Sequence, residues 1–256
     1  MRQKKVGFGR DEELQWERLT MAMAQVPARP PILSVLKSST LLNSIDESEL
    51  ILLAKDCHMA YAERGETIWV RGDQVDFFGL VGTGFVKMVR STAKGQEVTA
   101  EIMGPGQIFG MLGAIEGSGC PLTSRAVSNC WYLKLPKRVF APVYERQQLL
   151  KDAVLRRTAG RLRLSHEMIA AMASGRVEER IALVLYLLAE SYGETHGDSV
   201  TIKVPLTRME ISEMAGTTVE TTIRVISRWQ KENLVETDHR HITIKNAQKL
   251  FGGLET

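Results

Sequence analysis

Glu220 and Arg224 stand four residues apart in a stretch with helical periodicity, so they project from one face of a helix. An arginine guanidinium can donate two hydrogen bonds to a guanine edge, and a carboxylate can accept one from cytosine. The pair is therefore equipped to read base edges in a major groove. Thr217 and Thr218, just upstream, are natural N-caps whose hydroxyls also suit a phosphate. Thr221 and Arg228 continue the polar face, with Ile223 beside them. Further phosphate ligands are expected at Arg208, Lys231 and Arg240, and at His239 and His241.

These side chains need two helices to aim them. One is expected from Arg208 to Ala215 and a second from Thr218 to about Lys231, joined by Ala215-Gly216-Thr217. Gly216 supplies the left-handed conformation that a tight helix–helix turn requires. Ile211, Ala215, Val219 and Val225 fall where a helix-turn-helix places its inner contacts. Taken alone, the pattern also fits an ordinary helical hairpin with a Glu220–Arg224 salt bridge. Asn233-Leu-Val-Glu, then Asp238-His-Arg-His and the strand-like His241-Ile-Thr-Ile, add a wing and favour the DNA-binding reading. Residues 176–256 hold ten Lys and Arg against twelve Asp and Glu, so attraction to DNA must come from local placement rather than net charge.

Upstream, 177 to 192 reads as a buried helix and 200 to 204 as a strand. From 139 to about 174 the only glycine is Gly160, which predicts a long helix. Along it Leu155, Leu162 and Ile169 recur every seventh residue, with Thr158, Ser165 and Met172 offset by three. That is an a/d seam flanked by Arg156, Arg157, Arg161 and Arg163, and it predicts a dimer helix over a surface helix of a single domain. From 59 to 136 short apolar runs alternate with glycines at intervals that suggest a small β-barrel or sandwich. Residues 32–55 have helical spacing, with a capped start near Ser44. Residues 1–31 form an extension in which 11–26 could be a charged helix ended by Pro27-Ala-Arg-Pro-Pro. The expected units are thus 1–31, a β domain at 32–143, a dimerisation helix at 144–174 and a DNA-binding domain at 175–256.

Composition narrows the function classes. With 256 residues, 44% hydrophobic and 25% charged, the chain suits two ordinary domains, and a net charge of +3 says little about partners. Cys57, Cys120 and Cys130 are too few and too scattered for a disulfide framework or a C-x-x-C zinc site. There is no apolar run of membrane-spanning length. Arg2, Lys4 and Lys5 lack the apolar stretch of a signal peptide, so a cytoplasmic location without membrane association is expected. No nucleophile elbow, P-loop, H-E-x-x-H or carboxylate pair is present, and an enzyme is not expected.

The order β-roll, long helix, winged helix resembles the cyclic-AMP receptor protein/FNR (CRP/FNR) family of bacterial transcription regulators over about residues 32–250. The carrying segments are Gly65-Glu-Thr-Ile-Trp-Val-Arg-Gly-Asp, Val81-Gly-Thr-Gly-Phe-Val-Lys, Gly106-Gln-Ile-Phe-Gly and Met209-Glu-Ile-Ser-Glu-Met-Ala-Gly-Thr-Thr-Val-Glu-Thr-Thr-Ile-Arg. The resemblance implies an α+β fold with an N-terminal cyclic-nucleotide-binding-like jelly roll. It also implies a homodimer on a palindromic double-stranded DNA site, and contact with RNA polymerase. Val219-Glu-Thr-Thr-Ile-Arg is similar to the FNR branch, which implies TGA-like half-sites read by Glu220 and Arg224. Ile223 stands where that branch has serine; it could touch a thymine methyl or belong to the core.

The resemblance also says where an effector would sit: around Gly110, Met111, Leu112, Cys120 and Pro121 of the roll, and Ser165 and His166 of the long helix. Met111 follows Gly110 where cyclic-nucleotide binders offer a glutamate, and their phosphate-binding arginine falls near Cys120 here. Arg125 lies about five residues further on. A buried phosphate without a cation is costly, so cyclic AMP is not expected. Three cysteines, none before residue 57, do not make an FNR-type iron–sulfur site. Haem stays open, with His166, His58 and Met111 as ligand candidates, although a lone His on such a helix is more simply an interface polar residue. Cys120 is either a redox-responsive thiol or a small turn residue. A pocket filled by Met and Leu, needing no ligand, is a further reading. If an effector acts, Ser165 and His166 would pass the change to the seam packing and re-aim the winged helices. The rival class is a β-roll sensor or interaction module with a degenerate winged helix.

Overall fold

A computed structural model describes residues 27–93 and 95–252. The expected helix over 11–26 lies outside them. Two short helices open the described chain, α1 (Ile32–Ser38) and α2 (Glu47–Ala54), with a 3-10 turn between them at Thr40–Leu42. The N-cap of α2 is Asp46, two residues beyond the expected start, and Glu47 and Glu49 occupy its first turn.

Eight strands follow: β1 (His58–Ala62), β2 (Thr67–Trp69), β3 (Phe77–Thr83), β4 (Val86–Ser91), β5 (Glu97–Met103), β6 (Ile108–Phe109), β7 (Thr123–Ala126) and β8 (Cys130–Pro136). A short helix, α3 (Met111–Glu116), interrupts them after β6. They form two antiparallel sheets, β1-β8-β3-β6 and β2-β7-β4-β5. Their facing sides enclose Trp69, Val81, Val86, Met88, Met103, Phe109 and Tyr132. The outer side of the first sheet buries Phe78, Leu80, Leu133 and Leu135 under α1, α2 and the helices that follow the roll. β3 is therefore covered on both faces and lacks the alternation that reveals a half-exposed strand. Gly79 in β3 is required by packing, because a Cβ there would come within 2.3 Å of the Phe109 ring.

The long helical stretch is two helices, α4 (Lys137–Arg146) and α5 (Gln148–Ser174). Gln147 is extended at φ −99° and ψ 100°, and this break replaces the expected boundary at 143/144. The winged-helix unit comprises α6 (Val177–Tyr192), β9 (Gly193–His196), β10 (Ser199–Ile202), α7 (Arg208–Ala215), α8 (Val219–Lys231), β11 (Val235–Asp238), β12 (His241–Ile244) and α9 (Ala247–Phe251). Its sheet runs β11-β12-β10-β9. Ile181, Val184, Leu185, Ile202, Ile211, Ala215, Ile226 and Ile244 form its core. Ile102 and Val127 of the roll belong to the same apolar cluster, so the roll and the winged helix share a packed boundary. No helix among the described residues is long and apolar enough to cross a membrane.

Candidate nucleic-acid interface

The helix-turn-helix is built from local signals. Thr207 caps α7 reciprocally: its Oγ1 accepts from the Glu210 N–H at 3.2 Å, and Glu210 accepts from the Thr207 N–H at 2.6 Å. Thr-x-x-Glu is a legible capping signal that the sequence reading passed over. α7 ends at Gly216, at φ 58° and ψ 46°, whose N–H bonds back to the Ser212 carbonyl. Thr218 caps α8 by accepting from the Thr221 N–H at 3.2 Å. Ile211, Ala215 and Val225 are buried as expected, and Val219 is half-buried.

A Cβ at Gly216 would stand 2.8 Å from the Met172 sulfur and would hold a left-handed backbone. Gly216→Ala is therefore expected to cost about 1–2 kcal/mol, chiefly from the backbone because a methionine tip can yield. A thermal unfolding curve indistinguishable from that of the parent chain would contradict this account.

α8 presents Glu220, Ile223, Arg224 and Arg228 to solvent, while Thr222, Val225, Ile226 and Trp229 face the core. Ile223 is 47% exposed, which settles it as a surface residue and leaves it free to meet a base. Glu220 and Arg224 form no ion pair among the described residues, so the salt bridge of the alternative, ordinary-hairpin reading is not present. Arg228 is engaged with Glu178 of α6 at 2.8 Å and lies 3.8 Å from Glu232, so a phosphate must compete with those carboxylates for it. Arg208 leans on β11, donating to Thr237 Oγ1 at 3.4 Å, and burial lowers its pKa. Thr217 is half-buried and Thr218 exposed. The wing is the β11–β12 hairpin, turned by His239 at φ 41° and Arg240 at φ 73°, two consecutive positive angles of the kind that tight hairpins use. His239 is almost fully exposed at its tip.

Along α5, Leu155, Leu162 and Ile169 are 69%, 56% and 65% exposed. Thr158 and Ser165 are exposed too, their hydroxyls bonded back to the carbonyls of Val154 and Arg161. These three large apolar side chains form an exposed row along one side of α5. Met172 departs from that row: it is half-buried and lies against Gly216 of its own helix-turn-helix.

Of the residues expected around an effector, those of the roll lie near one another: a Cβ at Gly113, next to Leu112, would stand 3.0 Å from the Cys120 Cα. Cys120 is buried inside the roll, and Met111 packs on the opposite side of the first sheet. Leu112, Pro121, Ser165 and His166 are exposed. Trp69 stacks on Phe109 with ring centroids 5.0 Å apart, and a Cβ at Gly110 would strike that indole. Arg125 is held in a two-pronged pair with Glu97, at 2.7 and 2.9 Å. Arg157 donates to the Ile108 carbonyl at 3.0 Å, and Arg161 pairs with Glu101, whose carboxyl is raised by burial against the opposing pull of both arginines. Burial, then Asp73, raises the Cys120 thiol, whereas a reactive cysteine needs the reverse. Burial also pushes Cys57 and Cys130 up to about 12. The three cysteines do not form a metal-binding group with other ligands among the described residues, so an iron–sulfur cluster does not fit them. His58 and His166 are exposed on β1 and α5.

Comparison with known proteins agrees with this architecture in both halves. Residues 60–147 match the family described as cyclic nucleotide-binding domain, and residues 179–251 the Crp-like helix-turn-helix domain. The fumarate and nitrate reduction regulatory protein of Salmonella typhi is 24% identical over 188 residues, covering 73% of this chain and 75% of that protein. The anaerobic regulatory protein of Aggregatibacter actinomycetemcomitans is 23% identical over 189 residues, covering 74% and 73%. Among solved structures, FixK2 of Bradyrhizobium japonicum superposes with a TM-score of 0.68 at 19% identity, over 77% of this chain and 96% of that one. A CooA variant from Carboxydothermus hydrogenoformans does so at 0.67 and 18% identity, over 90% and 97%.

Proposed function

The chain belongs to the CRP/FNR family of DNA-binding transcription regulators, and from that premise we propose that it acts as a homodimer on a palindromic operator with TGA-like half-sites. The observation that carries this reading is the coincidence of two exposed surfaces: the base-reading face of α8 and the apolar row of α5. Pairing two copies along α5 sets two recognition helices into successive major grooves about 34 Å apart. Arg224 donates to guanine, Glu220 accepts from cytosine, and Ile223 meets a thymine methyl. Thr217, Thr218, Thr221, Arg208 and the wing residue His239 bind phosphates and fix the register. RNA polymerase is the downstream partner by family resemblance, and the cytoplasm is where such a complex would form. The protein is read as a regulator rather than an enzyme.

Neither cyclic AMP nor an iron–sulfur cluster is assigned as effector. Support for an effector-independent roll comes from its interior, where Trp69 stacks on Phe109, Tyr132 meets Phe109 edge-on, and no arginine stands at Cys120. Of the haem candidates, His58 and His166 are exposed on β1 and α5, whereas Met111 is half-buried against the helical side of the first sheet.

In vitro selection from random duplexes with the purified, ligand-free protein tests the proposal, with a visible absorption spectrum taken first. The expected outcome is a colourless protein that selects a palindrome with TGA-like half-sites. A Soret band would instead name haem. A colourless protein that selects nothing would leave the roll as a sensor or interaction module with a winged helix that no longer reads DNA.

A further inference from the structure

The outer face of the second roll sheet carries a buried charge contact that joins the roll to the winged helix. Lys87 stands on β4 opposite Ile102 of β5 and Arg125 of β7, and all three share the face turned away from the roll interior. Its Nζ is 2.7 Å from Glu213 Oε2 of α7, and the two side chains are only 7% and 11% exposed. Thr99 of β5 donates its hydroxyl to the same oxygen at 2.7 Å. Two further ties flank this contact. Arg64 donates to the Val127 and Pro205 carbonyls and reaches Glu210 of α7 at 3.3 Å. Tyr192, ending α6, has its hydroxyl 2.7 Å from the Ile102 carbonyl and 2.6 Å from Gln107 Oε1, with its ring edge-on to Phe85.

A desolvated ammonium–carboxylate pair adds little net stability, because burial costs nearly what attraction returns. What it does add is register: the pair is tolerable only when both partners meet, so it fixes one placement of α7 on the sheet. α7 is the helix on which α8 is mounted through the Gly216 turn, and in this placement Glu220, Ile223 and Arg224 all remain exposed. We propose that Lys87 is a positioning residue for DNA reading. Through Glu213 it fixes the first helix of the helix-turn-helix against the roll, and thereby the direction in which the recognition helix points. In a dimer the same contact sets the distance between the two recognition helices. This inference rests on the proposed reading of a dimer on a palindrome.

The test uses the full chain and a set of selected operators whose half-site spacing is varied one base pair at a time. The parent protein is expected to show one narrow spacing optimum. Lys87→Met leaves Glu213 buried without its cation, so affinity at the optimum should fall at least about tenfold and the spacing profile should flatten. Affinity for an isolated half-site should stay within about twofold, because no DNA-facing group has changed. The exchanged pair Lys87→Glu with Glu213→Lys should recover the narrow optimum. An unchanged profile in Lys87→Met, tighter binding by it, or a loss that the exchanged pair does not recover would each overturn the proposal. If the parent protein itself showed no preferred spacing, the dimer reading would have failed instead. Amide exchange then decides the contact alone: α7 should lose protection in Lys87→Met, and unaltered protection would overturn it.

Discussion

Replacing Arg224 with alanine is expected to weaken operator binding by about 1–3 kcal/mol per half-site and to erase the preference for one base pair in each half. In a dimer that loss occurs twice, so a palindrome should lose about 2–6 kcal/mol, enough to approach non-specific binding. The reason lies in the geometry of α8. Arg224 is exposed and unpaired among the described residues, so it reaches the groove without first giving up an ion pair. Glu220→Ala should relax a different position by a similar amount, since a carboxylate accepts from cytosine and repels the acceptor edge of guanine. His239→Ala is the contrast. It sits at the wing tip and, if it binds phosphate as proposed, its loss should lower affinity for all sequences alike. Competition binding against operators mutated one base pair at a time separates the cases. Uniform weakening by Arg224→Ala would remove Arg224 from base readout and return it to the phosphate contacts.

Leu162→Glu is expected to convert a dimer into a monomer and to weaken binding to a full palindrome by about 100-fold or more. Leu162 is the central residue of the row Leu155, Leu162, Ile169, all more than half exposed. Burying such side chains contributes about 1.5–3 kcal/mol each relative to leaving them in water, and a charge at the centre reverses that gain. Linking two half-site contacts through one interface raises overall affinity by about 10²–10⁴-fold, and this is what dissociation forfeits. Light scattering on the eluting protein reports the mass, and a gel shift on one and two half-sites reports the avidity. Half-site binding should survive, because Leu162 is exposed on α5 and is not part of the winged-helix core. A Leu162→Glu protein that stays dimeric would place the interface elsewhere and leave the exposed row without a partner.

Much of this design was readable from residues close together in the chain. Caps, left-handed glycines and seven-residue periodicities act within a turn or two of backbone, so the residue types in a short window are enough. The bounds of α7, Gly216 and the expected N-cap Thr218 follow from such windows, as does the exposed face of α8. The row along α5 is legible for the same reason. β3 was hidden because two covered faces remove alternation, and its Gly79 answers to Phe109, far along the chain. The break at Gln147 also went unseen, since no proline or glycine marks it.

What the residues of one window cannot encode is which distant element they will meet. Lys87, set between Val86 and Met88 in a strand, looks like an ordinary outward-facing lysine; only the docking of α7, 126 residues away, buries it against Glu213. Met172 keeps the heptad spacing of the seam, yet the fold turns it toward Gly216. Leu112 and Cys120, eight residues apart in sequence, are drawn together because Gly113 packs on the Cys120 backbone, while Ser165 and His166 are exposed on α5. Sequence thus determined the helix-turn-helix and the exposed apolar row of the long helix. Tertiary structure alone decided how that helix-turn-helix is held against the roll, because ion pairing and burial depend on distance in space, which separation along the chain does not set.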